Sequence, residues 1–358
     1  MEVWQKVFLG DATFMQSTHG AGGCVICHGG ASNVEDKGLA HAGLVTDPSE
    51  VSCNTCHQDI SHANNSSLHT TLRGFTSVLE DRGGNVASGT PLAAALENHC
   101  NECHTTCGQC HVSQPTQSGG GLVSNHKFLA TPSMQYNCTA CHGSRVGDEY
   151  LGNNEGVPGD IHWTKNGMTC TKCHSEELHG SGQTVDTRYQ DTSTAKCEDC
   201  HQDVLTGTAD NPQHQQHLSN LSCQVCHSVN YSNCYNCHVA IDQKGLPYRT
   251  SDPTEMQFKI GLNPLESSAR PYKYVVLRHV PITPGTFDFY GDNLLPDFNA
   301  LPTWRYATPH NIQLNTPQNA GCDACHGNTA LFLTEDDVAP DEKEANRKVI
   351  VPVVPGLK

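Results

Sequence analysis

Apolar positions are scattered along the 358-residue chain, and few stretches hold a helical or strand period for long. Residues 91–97, Pro-Leu-Ala-Ala-Ala-Leu-Glu, read as a short helix, with Pro91 in its first turn and alanines that favour it. Residues 272–279, Tyr-Lys-Tyr-Val-Val-Leu-Arg-His, read as a strand from their β-branched and aromatic content. Prolines on both sides argue against a central place in a sheet. Residues 239–321 hold ten prolines and no cysteine, which predicts a wrapping belt. An acidic run (Glu335, Asp336, Asp337, Asp341, Glu342, Glu344) then precedes the apolar tail Val349–Pro355. Such a tail either packs on its own subunit or adds an extended segment to an edge of a neighbouring copy. No apolar run reaches 18 residues, so no transmembrane helix is expected.

Composition narrows the architecture. The chain is 36% hydrophobic, with 32 Gly and 19 Pro, so conventional apolar core is scarce. The net charge of −16, with no basic stripe, excludes nucleic acid as an expected partner. An acidic surface suits solubility, cationic partner patches, or contact with metal ions and minerals.

The cysteines change the picture most. All 20 fall in ten Cys-x-x-Cys-His motifs, which pair Cys24 with Cys27, Cys53 with Cys56, Cys100 with Cys103, Cys107 with Cys110, Cys138 with Cys141, Cys170 with Cys173, Cys197 with Cys200, Cys223 with Cys226, Cys234 with Cys237 and Cys322 with Cys325. The fifth positions are His28, His57, His104, His111, His142, His174, His201, His227, His238 and His326. This is the attachment pattern of c-type haem: two thiols add to the porphyrin vinyl groups and the next histidine reaches the iron. Zinc knuckles, redox dithiols and disulfides do not require that histidine ten times in ten. The motifs at Cys100 and Cys107 nearly abut, which predicts two porphyrins lying against each other.

Twelve histidines lie outside the motifs, against ten distal seats. His19, His41, His69, His99, His126, His162, His179, His214, His217, His279 and His310 are candidate distal ligands, and His62 is set aside first as a spare. The second spare stays open between His99 and a seat shared by His214 and His217. Two imidazoles per iron leave no open position, so the expected task is moving electrons, without enzymatic chemistry. The fold expected is mostly irregular chain with short α-helices and few short β-strands, wrapped around stacked haems. Residues 1–238 would hold nine motifs, 239–321 the belt delivering distal histidines, and 322–358 the last motif and the tail.

Residues 103–115, 119–126, 141–150, 177–180 and 309–312 resemble extracellular multihaem c-type cytochromes of metal-reducing and related anaerobes. The resemblance implies distal ligation by His126, His179, His279 and His310. Some relatives polymerise, with an N-terminal histidine binding a haem of the next subunit, and His19 holds that place here. The resemblance thus implies an extracellular electron conduit able to form a head-to-tail homopolymer and to pass electrons to extracellular acceptors or other cytochromes. An electron carrier seated in an outer-membrane porin and a multihaem oxidoreductase are the alternatives; the absence of Cys-x-x-Cys-Lys disfavours the latter. Haem c is attached outside the cytoplasm, yet Met-Glu-Val-Trp-Gln-Lys-Val lacks the features of a secretory signal, so an export signal outside this numbering is expected.

Overall fold

The computed structural model describes every residue except 1, 11, 102–104, 176–177, 191–192, 207–210, 231–238, 249–256 and 358. The described helices are short, and the longest, Pro91–His99, has 9 residues. Helices of this length are marginal in isolation, so packing or covalent attachment must hold them. The chain forms two units, each assembled from three segments: residues 1–75, 100–143 and 170–194 in the first, and 76–99, 144–169 and 195–358 in the second.

The first unit is held by polar contacts. Asp47 accepts hydrogen bonds from the Thr106 hydroxyl (2.6 Å) and the Ser49 amide (3.0 Å), while Ser49 Oγ accepts from the Gly108 amide (2.9 Å). Burial raises the Asp47 carboxyl, but the Ser49 and Thr106 hydrogen bonds outweigh it and hold the pKa below the usual value. Asn137 Nδ2 donates to Gln109 O (2.7 Å) and Ser113 O (2.8 Å). Among the described hydrophobic side chains of this unit, Val112 alone is buried, whereas Trp4, Phe8, Ile26, Leu39, Val51 and Ile60 are exposed.

The second unit has an apolar core. Among the described residues there are five strands: β1 (Ala240–Ile241), β2 (Pro247–Tyr248), β3 (Phe258–Leu262), β4 (Tyr274–His279) and β5 (Trp304–Tyr306). β1 and β2 form a small antiparallel pair, and β3-β4-β5 an antiparallel sheet. Val275 and Leu277 pack with Trp304, Leu333 and Val349 on one face of β4, while Val276 packs with Ile260 and Phe332 on the other. The run Val-Val-Leu is thus a strand covered on both sides. The expected strand is present, but its place is central: residues 274–279 contain no proline, and Pro271 and Pro281 lie outside the paired register, so no ladder donor is lost.

The tail packs on its own chain. Leu262 N–H donates to Val349 O (2.9 Å), Val351 N–H to Leu333 O (2.8 Å) and Gly327 N–H to Pro355 O (2.8 Å). The segment therefore fills an edge within its own subunit. The predicted helix at 91–97 runs on to His99 and buries Leu92, Ala95, Leu96 and His99, the i, i+3, i+4, i+7 stripe of a packed helix. No described helix is long and apolar enough to cross a membrane.

Candidate metal centres

Among the described residues, the motifs are built on single helical turns. The amides of His28, His57, His174, His201 and His326 donate to the carbonyl of the first cysteine of their motifs at 2.8–3.0 Å. That turn places cysteines three apart on one face, with the histidine at i+4 beside them. Thr106 caps the turn Cys107–His111 in a capping box with Gln109. No disulfide joins any of the described cysteines. Cys103, His104, Cys234, Cys237 and His238 lie outside the described residues.

Among the described residues, seven motif histidines face seven non-motif histidines. In the first unit the pairs are His19–His57 (ring centroids 6.2 Å apart), His28–His126 (6.0 Å), His69–His142 (6.1 Å) and His111–His179 (6.0 Å). In the second they are His162–His201 (6.0 Å), His214–His227 (6.1 Å) and His217–His326 (5.9 Å). The separation hardly varies, yet the angle between ring planes runs from 12° to 83°. Direct ring stacking looks different here, as in His19 on Phe128 at 4.0 Å and 9°. A fixed distance with free rotation is what one metal ion between two imidazole nitrogens produces. About 2.0–2.1 Å from nitrogen to metal, plus about 1.1 Å from nitrogen to ring centre, gives about 6.2 Å between centroids. The residues present therefore fit bis-histidine ligation.

Hydrogen bonds at Nδ1 leave Nε2 toward the partner ring. Nδ1 of His28 donates to Val45 O (2.8 Å), of His111 to Leu129 O (2.6 Å), of His217 to Gln213 O (2.7 Å), of His227 to Gln313 O (3.0 Å) and of His326 to Gly356 O (3.2 Å). These bonds fix tautomer and ring direction, as second partners of metal-bound histidines do. Burial pushes His126 and His179 below the ordinary histidine value, which favours the neutral, ligating imidazole.

Two predicted distal ligands are committed elsewhere. His99 Nε2 shares a 2.7 Å hydrogen bond with Tyr290 Oη. His279 Nε2 lies 3.1–3.2 Å from both oxygens of the buried Glu342, with its ring tilted on Trp304 at 5.1 Å. Nε2 of each ring is therefore engaged by a side-chain oxygen. His41 and His62 are exposed, with no side-chain partner among the described residues, and His174 and His310 are half-buried. His19, which the resemblance assigned to a neighbouring subunit, faces His57 of its own chain because the Phe128 stack holds its ring there. Nothing in the sequence singled out Phe128 or Tyr290, and Glu342 stood out only as one member of the acidic run.

The motifs also meet through sulfur. The first cysteines of three pairs of motifs share hydrogen bonds: Cys53 with Cys107, Cys138 with Cys170, and Cys197 with Cys223. Within each pair that bond pushes one thiol up and pulls the other down, Cys107 and Cys138 to about 7. Cys110 and Cys226, by contrast, are pushed up to about 11 by burial. Cys197 Sγ, a Glu198 carboxylate oxygen and Cys223 Sγ lie within 4.8 Å of one another, a donor set that could hold a soft metal ion if both thiols were unmodified. Comparison with protein-family models, curated proteins and solved structures returned no match.

Proposed function

We propose that the chain is an electron conduit carrying ten covalently attached c-type haems, each iron held between two histidines. The observation that carries this reading is the set of seven imidazole pairs, each joining one motif histidine to one non-motif histidine at 5.9–6.2 Å. Haem iron supplies one-electron chemistry when bound. The chain's own part would be to hold each iron between one motif and one non-motif histidine, leaving no place there for water or substrate. Motifs whose first cysteines touch would hold their porphyrins in close succession, Cys53 beside Cys107 and Cys138 beside Cys170 in the first unit, and Cys197 beside Cys223 in the second.

The ligand arithmetic supports the same reading. Removing His99 and His279 from the twelve non-motif histidines leaves ten for ten seats. Seven are taken by the pairs among the described residues, and His41, His62 and His310 are the ligands we assign to His104, His174 and His238. His62 thus returns as a ligand and His279 leaves the set.

The exposure of His41 and His62 favours a second element of the proposal, ligation across copies in a head-to-tail filament at the cell surface. A porin-seated carrier gives these two histidines no role, and an oxidoreductase requires an open iron, which none of the seven paired sites leaves. The test is haem content by pyridine haemochrome assay, with electron paramagnetic resonance of the ferric protein. Ten low-spin haems support the proposal; zinc in place of haem, or high-spin irons in number, would overturn it. Negative-stain microscopy of the H41A/H62A double variant tests the filament: assemblies that persist unchanged would remove that element.

A further inference from the structure

The Nδ1 partners of the paired histidines are unequal. Five, at His28, His111, His217, His227 and His326, are backbone carbonyls. His214 Nδ1 is buried without a hydrogen-bond partner. His162 Nδ1 instead meets the Asp160 carboxylate, at 3.0 Å from Oδ1. Asp160 is 2% exposed, and its other oxygen is fixed by the Ile312 amide at 2.7 Å.

Asp160 also caps the helix Ile161–Asn166 through the His162 amide at 2.7 Å. Capping alone does not account for the site, since serine, threonine or asparagine would cap as well from this position. A buried carboxylate aimed at the outer nitrogen of an axial imidazole does more. It draws the Nδ1 proton toward itself, makes the ring a stronger donor to the metal, and stabilises the higher oxidation state.

We propose that Asp160 is a positioning residue that depresses the reduction potential of the iron clamped by His162 and His201. The inference rests on the haem reading above. That site then lies below the one clamped by His217 and His326, where both imidazoles donate to carbonyls, at 2.7 Å to Gln213 O and 3.2 Å to Gly356 O. Electrons in the second unit would collect away from the His162–His201 site, which becomes an uphill step able to bias the direction of flow.

The experiment is a potentiometric titration of the holoprotein, wild type against D160N and D160S, with haem content measured on each sample. D160S keeps a capping hydroxyl and removes the charge, so it separates the electrostatic effect from the cap. The expected result is that one one-electron step of the array moves upward in both variants. Its ferrous-to-ferric ratio at a fixed potential should rise about tenfold, equivalent to about 59 mV. The other steps and the haem content should stay unchanged. Full haem content with an unaltered titration in both variants overturns the inference and leaves the electron-conduit reading standing. A protein that carries no haem overturns both, and the haem assay alone reveals which case holds.

Discussion

On the proposed reading, a histidine whose Nε2 is held by a protein hydrogen bond is a bystander, and that sorts His99 and His279 from the ligands. H126A, H179A and H214A should each open one iron, giving one high-spin ferric signal and one carbon monoxide-binding site per protein. H99A and H279A should leave the low-spin count unchanged; spectra taken before and after carbon monoxide check both. The motif residues stand out in the sequence because the proposed covalent attachment would demand a fixed local spacing. The bystanders could not, since Tyr290 lies 191 positions from His99 and Glu342 lies 63 from His279. Glu149 gives a second prediction at this scale. Burial pushes its carboxyl up to about 8 from 4.5, against the opposing amides of His310 and Asn311 and the charge of Arg278. The folded chain keeps a proton that the unfolded chain releases, so this stabilisation is full below 4.5, declines as pH rises, and is gone above about 8. Melting temperatures of the holoprotein between those limits should fall with pH for the wild type relative to E149Q.

Among the elements, the sheet shows how a local signal can name a strand and miss its place. The residues of β4 announce a strand, but its central position depends on where the flanking prolines fall relative to a register set by β3, β5 and the tail. The helix beginning at Pro91 was legible for a similar local reason, and its last turn is set by burial of Leu96 and His99, which composition does not show. The tightest contact in the sheet is at Gly261 of β3, where an added Cβ would overlap Leu277 Cδ1 and lie 2.8 Å from Val349 O. G261A should therefore cost about 1–3 kcal/mol by overpacking, read as a lowered thermal midpoint in far-ultraviolet circular dichroism, with haem content retained.

For the molecule as a whole, the division of apolar surface is the informative feature. The second unit buries two apolar clusters, while the first buries Val112 alone among its described hydrophobic side chains. The sequence suggested a scarce core throughout; 36% hydrophobic residues could not show that they are concentrated in one unit. Ordering a chain costs about 1–2 kcal/mol per residue, and on the proposed reading covalently tied porphyrins would supply the apolar surface that the first unit's own side chains lack. If haem attachment is blocked, hydrogen exchange should show the first unit losing protection throughout while β3, β4 and β5 retain it. Equal loss in both units would count against porphyrins serving as the interior of the first. The most direct test of the central claim is the intact mass of the mature protein together with its ferric resonance spectrum. The account predicts ten haems, all low-spin and unreactive to carbon monoxide; fewer than ten, or several high-spin irons, would contradict it.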